Sequence, residues 1–490
     1  MLYPDGQVIS IPFSQNIPHR VLSSGLKDSV GNNMIMFSGT SLPIQRTTFF
    51  VSGRYSSANF VAGSYTLQNS DTNDNRAYVA KLDVNGNTTW LKSFGNNNFN
   101  AAFGTITDAG DNVLVHGFFT DTLQVDENIS LISPASGLFF IKYDGEGKPL
   151  WGKKAICTGS AGGTSGTADD EGSFYVCGWY TDSIRFDNFM LLAQQGWESF
   201  VVKYDKNGNV LWANNISGPL HEYVEGIAFD GKDHLYTVGH FIGTVHCLTV
   251  ALNATSFYSH SFVLRFDKSG QFVTGNSWNA DGQVSARSVV CLNENRVVIG
   301  GEFYGRYMNY GILSVDDGTL QPHNNRSFLL VVDSSFTGKE LIKADCGQTQ
   351  QLYSIARISN TEFYATGEYI DCMTFGTGTI SGYQYNPDQF VGKFVLESEP
   401  VGINGPAEQM NVSLFPNPAR DKIHVNGLLL TKPGVKIEIR NALGECCLRL
   451  NDVAGEQMII DVGSLSDAVY FLTISTSESK ISQKLVINRR

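Results

Sequence analysis

One stretch recurs along the chain at nearly constant spacing, and that recurrence restricts the fold more than any bulk property does. Its fullest copy is Ser199–Trp212, Ser-Phe-Val-Val-Lys-Tyr-Asp-Lys-Asn-Gly-Asn-Val-Leu-Trp. Phe200, Val202 and Tyr204 alternate with Val201, Lys203 and Asp205, the period-two pattern of a strand. Asp205-Lys-Asn-Gly208 then turns the chain, because Asp and Asn side chains bond local backbone and Gly accepts positive φ. Val210, Leu211 and Trp212 begin the return strand. Further copies stand at Ala77–Trp90, Leu138–Trp151, Ser261–Thr274 and Ser327–Leu341. Their turn aspartates, Asp83, Asp144, Asp205, Asp267 and Asp333, are 61, 61, 62 and 66 residues apart. Gln389–Leu396 carries the first strand alone.

Between these copies runs a second signature, a strand ending in Gly, any residue, then an aromatic. It reads Gly63-Ser-Tyr65, Gly117-Phe-Phe119, Gly178-Trp-Tyr180, Gly239-His-Phe241, Gly301-Glu-Phe303 and Gly367-Glu-Tyr369. Each unit of about 60 residues therefore holds two hairpins, or four strands, the length and content of a β-propeller blade. Six signatures predict six blades, with five or seven as the alternatives. The first blade, about 33–67, lacks its opening strand, and Gln389–Leu396 is the same element at the other end. Pairing of the two is the expected closure, since it removes two open sheet edges.

The chain has 490 residues and 50 glycines, with 12% aromatic content, which suits an all-β protein of many turns. Its net charge of −12 gives no electrostatic support to a nucleic-acid partner. No apolar run reaches 18 residues, so no transmembrane segment is expected. Met1-Leu-Tyr-Pro-Asp-Gly6 has neither the basic nor the apolar region of a signal peptide. The eight cysteines contain no Cys-x-x-Cys pair; their even number permits disulfides and specifies none.

Four regions follow. Residues 1–32 are an unassigned N-terminal segment, 33–397 the propeller, 398–411 a Pro- and Gly-bearing polar linker, and 412–490 a second domain. In the last, Lys422–Val425, Val435–Arg440, Gln457–Val462, Val469–Ser475 and Lys480–Asn488 alternate as short strands, with turns such as Asn441-Ala-Leu-Gly444. This predicts a small, immunoglobulin-like β-sandwich. It carries 10 Lys and Arg against 8 Asp and Glu, a balance of +2 that leaves −14 for the remainder.

The repeats resemble the bacterial SBBP-type β-propeller repeat, whose pattern is a Phe-Val-x-Lys-Tyr-Asp strand, an Asn-Gly turn, Leu-Trp, and a strand ending Val-x-Gly-x-Phe. The likeness is good over residues 77–241. It weakens beyond Ser261, where Thr274 and Leu341 replace the Trp and Val332 the Tyr. That family is tied to no single activity. Residues 412–490 resemble the C-terminal sorting domain of the type IX secretion system of Bacteroidetes. The resemblance rests on Leu414-Phe-Pro-Asn-Pro418, Asp421 with Ile423 and Val425, Ile437–Gly444, Leu465–Phe471 and Lys484-Leu-Val-Ile487. Ala468 stands in place of the usual Gly, and Cys446-Cys447 in place of a polar pair. The sorting motif it implies comprises Pro416, Asn417, Pro418, Gly444, Leu465, Tyr470 and Lys484. It also implies the type IX translocon and a sortase-like surface protease as partners, a secreted or outer-membrane-surface location, and a leader missing upstream of Met1.

Several constellations compete with plain structural readings. The Asp83–Asn87 and Asp205–Asn209 turns are too short for a calcium loop, which needs six to eight oxygens. Asp205, Gly208 and Trp212 fall near the tryptophan-docking spacing of quinoprotein dehydrogenases, yet Trp90, Trp151 and Trp212 read better as packing between blades. His240 and His246 are six apart and share a strand face, with His221, His234 and His260 nearby, but a metal centre needs three or four converging ligands. Asp169-Asp170 and Asp316-Asp317 fall in turns. No nucleophile elbow, zinc-protease helix or phosphate loop occurs. The expectation is therefore no catalytic, metal-binding or cofactor-binding residue and no cofactor. The expected function is a secreted or surface binding or scaffolding module for a protein or glycan. The alternative is a hydrolase or lyase at the propeller channel, using Glu302 and Glu368.

Overall fold

The structure, a computed structural model, describes residues 48–396 and 413–489, except 71–74, 84, 96–98, 195, 249, 255–256, 318–323, 377, 383–385, 416, 427–434, 442–444, 454, 456 and 476–479. The chain divides into two compact units, Met1–Leu396 and Glu397–Arg490.

In the first five sheets of the first unit the repeated strand and its return lie outward of the Gly-x-aromatic strand; in the sixth, among the described residues, the repeated strand Asp388–Val395 stands there without a return. The third repeat shows the order. Ala161–Ala168 is innermost, then Phe174–Tyr180, Glu198–Tyr204 and Val210–Ser217, all antiparallel. The sheets on either side begin with Asn100–Thr107 and Glu222–Phe229, and the next two with Gln283–Asn293 and Gln350–Arg357. These five innermost strands lie against one another in chain order. Apolar cores fill the spaces between neighbouring sheets: Phe140, Phe186, Phe200 and Tyr204 between the second and third, and Tyr175, Phe229, Phe262 and Phe266 between the third and fourth. Sheets stacked face to face around their inner strands are the packing of a β-propeller.

The third, fourth and fifth repeats hold six strands each rather than the expected four. A short hairpin between the second and third strands of one sheet pairs with the outer strand of the sheet before it. Thr244–Cys247 joins Val210–Ser217 through Ile216 and Cys247, and Tyr307–Tyr310 joins Phe272–Ala280 in the same way. The third, fourth and fifth sheets are thus laced by β-addition.

One expectation is corrected, and the expected closure is not seen among the described residues. The first sheet contains Thr48–Tyr55, Arg76–Asp83 and Thr88–Phe94, so its Phe-Val-x-Lys-Tyr-type strand is present as Arg76–Asp83. Its Gly-x-aromatic signature is Gly53-Arg-Tyr55, with Gly53 opposite Tyr78 as Gly178 is opposite Phe200. Gly63 instead sits in a tight turn at φ 59° between Asn59–Ala62 and Tyr65–Gln68. Asp388–Val395 pairs with its sequence neighbour Glu362–Tyr369, and among the described residues it has no partner from the first sheet. Residues 33–47 and the linker 398–411 lie outside the described residues.

The signature glycine has a steric cause. A Cβ at Gly117, Gly178, Gly239 or Gly367 would collide with a carbonyl oxygen of the inner strand and with the Phe ring opposite. The repeated Lys and Trp have one too. Lys203 Nζ and Trp212 Nε1 both donate to the Lys268 carbonyl in the next sheet's turn, at 3.2 and 3.1 Å. Lys142 and Trp151 meet on Lys206, and Lys81 and Trp90 on Gly145. Each indole covers that turn's glycine, Gly270, Gly208 or Gly147, all at positive φ. The tryptophans therefore dock sheet to sheet, as the packing reading expects.

The second unit is a sandwich of two sheets. Ser413–Phe415, Lys422–Asn426 and Gln457–Asp461 form one; Cys446–Val453, Val435–Asn441, Ala468–Ser475 and Lys480–Ile487 form the other. The three-against-four layering is immunoglobulin-like. Ile423, Val425 and Ile460 face Ile437, Ile439, Leu472 and Leu485 across a buried core. Two of these strands, Ser413–Phe415 and Cys446–Val453, were not among those expected.

Candidate functional site

Every described inner strand carries a β-bulge at the same place. The extra residues are Phe103, Thr164, Glu225, Arg287 and Tyr353. A bulge re-aims one side chain without ending the strand. Here it turns five side chains out of the strands' alternation, midway along each strand. Beside them stand the middle residues of the Gly-x-aromatic signatures: Arg54, Phe118, Trp179, His240, Glu302 and Glu368.

From the third to the fifth sheet these residues form one chain of contacts. Trp179 packs on Trp197 with ring centroids 4.3 Å apart, Trp197 on Tyr223 at 5.7 Å, and Tyr223 on His240 at 5.0 Å. All four rings are half-buried. His240 Nδ1 lies 3.8 Å from Glu225 Oε1. The Arg287 guanidinium then joins two carboxylates, reaching Glu225 Oε1 at 2.8 Å and Glu302 Oε1 at 2.7 Å. In the sixth sheet, Tyr353 is 48% exposed and bonds Gln351, with Glu368 beside it. The result is an aromatic arm running into an acidic arm.

The electrostatics follow from burial. Burial raises the Glu225 and Glu302 carboxyls above the usual range, and Arg287 partly offsets this. Burial, with Arg287 nearby, pushes His240 down to about 3, so its ring is neutral at ordinary pH. Burial pushes the Tyr353 hydroxyl up, aided by Glu368. Glu302 is only 7% exposed, and its Oε2 has no hydrogen-bond partner; neither has His240 Nδ1. A buried acceptor without a donor is costly, so Glu302 Oε2 marks where a donor is wanted.

The structure brings the residues suspected from sequence only partly together. Glu302 belongs to the bonded group with Arg287, while Glu368 stands one sheet further on. The five histidines do not converge. His246 is exposed on a lacing strand rather than on the strand of His240, and His234 bonds Asp230 at the opposite end. Asp205 Oδ1 accepts the N–H groups of Asn207 and Asn209, and its Oδ2 the Asn209 amide, so the turn's carboxylate is spent on its own loop. Asp169 is buried against Lys203 and Tyr175, and Asp170 reaches Lys268. Asp317 pairs with Arg326; Asp316 ends a lacing strand and bonds Arg306. Among the described residues no group of three His, Cys, Asp or Glu converges as metal ligands would. Sequence reading missed the bulge residues. Their signal is that Gly or Ser follows each one, as Gly104, Ser165, Gly226, Ser288 and Ser354.

The second unit has its own constellation. Asn417 donates to the Lys484 carbonyl at 2.7 Å and accepts from the Val486 N–H at 2.8 Å, tying the Phe-Pro-Asn-Pro stretch to the last strand. Leu465 and Tyr470 are buried, the Tyr470 hydroxyl bonding Ser466, and Pro418 is exposed. Pro416 and Gly444 lie outside the described residues. Residues 413–488 match the family described as the secretion system C-terminal sorting domain. This sorting domain marks the chain as a secreted or surface protein of the type IX system. Among the described residues, no helix is long and apolar enough to cross a membrane. A curated relative, an uncharacterized WD repeat-containing protein of Acanthamoeba polyphaga mimivirus, is 25% identical over 157 residues. That match covers 31% of this chain and 11% of the relative, so the chain spans about a tenth of that protein's length.

Proposed function

We propose that the first unit is a glycan-binding propeller, carried to the cell surface or beyond by its sorting domain. The observation that supports it most is the half-buried run Trp179, Trp197, Tyr223 and His240, which continues into Glu225, Arg287 and Glu302. A pyranose ring presents a face of C–H groups, which packs on aromatic rings, and a rim of hydroxyls, which bonds carboxylates and imidazole. Aromatic surface gives contact area at low entropic cost, and a few polar groups fix orientation. The resemblance of the repeats to SBBP-type blades fits such a scaffold and adds no activity. On this reading Asn417, Pro418 and Lys484 belong to the surface seen by the translocon, the buried Leu465 and Tyr470 hold the sandwich that presents it, and a surface protease removes the domain after export.

The enzyme reading has one favourable feature, the raised Glu302 carboxyl with its free Oε2. Glu302 and Glu225 both grip Arg287, however, an arrangement that fixes the carboxylates rather than leaving one to move a proton. Titration of the full chain with an oligosaccharide panel tests the binding reading. Saturable binding that Trp197→Ala weakens about tenfold or more supports it. Binding that survives Trp197→Ala and Tyr223→Ala together, or turnover of the sugar, contradicts it.

A further inference from the structure

We infer that this site selects against acidic sugars and takes neutral or amino-bearing oligosaccharides, with Glu302 as the residue that sets the choice. The inference rests on the glycan-binding reading. Three carboxylates, Glu225, Glu302 and Glu368, face the ligand side of the inner strands, and the nearest cation, Arg287, is already held by two of them. Arg54 lies in the first sheet, over the Phe99 ring at 4.9 Å and away from this arm. His240 is neutral and adds no positive charge.

The unpartnered atoms point the same way. Glu302 Oε2 accepts and cannot donate when ionised, and it is buried without a partner. A ligand hydroxyl or ammonium supplies the missing donor. A uronate or sulfate would instead set a second anion against Glu302 in a partly dry site, where like charges repel with little screening. Replacing Glu302 by Gln removes that repulsion and also frees one face of Arg287 for an anion.

The test uses the full chain and three probes of equal length: a neutral hexose oligomer, a glucosamine oligomer and a uronic-acid oligomer. Calorimetric titration should show the uronate binding about a hundredfold more weakly than the neutral probe, with the gap narrowing as salt rises. Glu302→Gln should raise uronate affinity relative to the neutral probe and so narrow the gap between them. Should the variant fail to fold, the wild-type ranking and its salt dependence still decide. Uronate binding equal to or tighter than neutral binding overturns the inference and leaves the glycan reading standing. No binding by any probe overturns both.

Discussion

Trp212 donates its indole N–H to the Lys268 carbonyl at 3.1 Å, across the boundary between two sheets, and its ring covers Gly270 in the same turn. Lys203 reaches the same oxygen while also meeting Asp169 at 3.5 Å. One turn in each of the second, third and fourth sheets is thus held by two side chains of the sheet before it, and Phe-Val-x-Lys-Tyr-Asp, Asn-Gly and Leu-Trp recur together for that reason.

The contributions of ring and hydrogen bond are separable. Trp212→Ala is expected to cost about 2–4 kcal/mol, by losing buried indole surface and leaving a cavity. Trp212→Phe should cost about 1 kcal/mol, mainly the lost hydrogen bond. Urea unfolding followed by circular dichroism measures both. Equal costs for the two variants would contradict the account.

A methyl group at Gly239 has no room, because the Tyr223 carbonyl and the Phe262 ring occupy its place. Gly239→Ala should destabilise by about 1–3 kcal/mol, the usual range for overpacking. It should also weaken oligosaccharide binding, since Tyr223 and the adjoining His240 both belong to the aromatic arm. Ala at Gly231, where a Cβ meets nothing, should leave binding unchanged.

Glu222 opens the inner strand of the fourth sheet. It is fully buried, and burial, partly offset by a backbone hydrogen bond from Leu220, raises its pKa to about 8. Gln350, at the equivalent position of the sixth sheet, donates its amide to loop carbonyls. A raised carboxyl favours the folded state while protonated. Its contribution is complete below the unfolded pKa near 4.5 and is lost as pH rises toward about 8. Stability should therefore fall across that window, by at most about 1.4 kcal/mol per pH unit from this group. Glu222→Gln should flatten the slope without abolishing it, because Glu225 and Glu302 are raised as well. Chemical denaturation at a series of pH values reads the change, and an unaltered slope would rule out the assignment.

Cys346 and Cys372 form a disulfide that fastens the hairpin Cys372–Phe375 and Gly378–Ser381 beside the fifth sheet, where Asp345 and Thr374 make an isolated bridge. Such a bond persists in the oxidising compartments a secreted protein crosses. Closing a loop over a separation of 26 residues is worth about 3 kcal/mol. Reductant should lower the melting temperature of the wild type but not that of Cys346→Ser/Cys372→Ser. A wild-type melt indifferent to reductant would show that the bond contributes nothing.

The strand-and-turn skeleton was legible because its signals are local. An Asp that accepts N–H groups two and four residues on, a positive-φ Gly and period-two alternation all read directly from Ser199–Trp212. The lacing hairpins were not, since strands of four residues such as Thr244–Cys247 leave too few alternations to count. Gly63-Ser-Tyr65 passed for the strand signature because its letters fit; only the register, Gly53 opposite Tyr78, separates the two. The site was hidden by its bulges. One extra residue at Glu225 or Arg287 breaks the alternation that sequence reading relies on, and it does so where the useful side chains emerge. Glu302 was noticed, but its partner Arg287 lies on another strand and no spacing announces it.

The central claim is that sugars bind on the aromatic arm, away from the inter-sheet tryptophans. Calorimetric titration of the full chain with a neutral oligosaccharide, comparing Trp197→Ala with Trp212→Phe, tests it directly. Trp197 precedes the strand that Trp212 follows, so the two residues stand at opposite ends of one sheet. The account predicts that Trp197→Ala weakens binding about tenfold or more and that Trp212→Phe leaves it unchanged. Loss of binding in Trp212→Phe with retention in Trp197→Ala would contradict it.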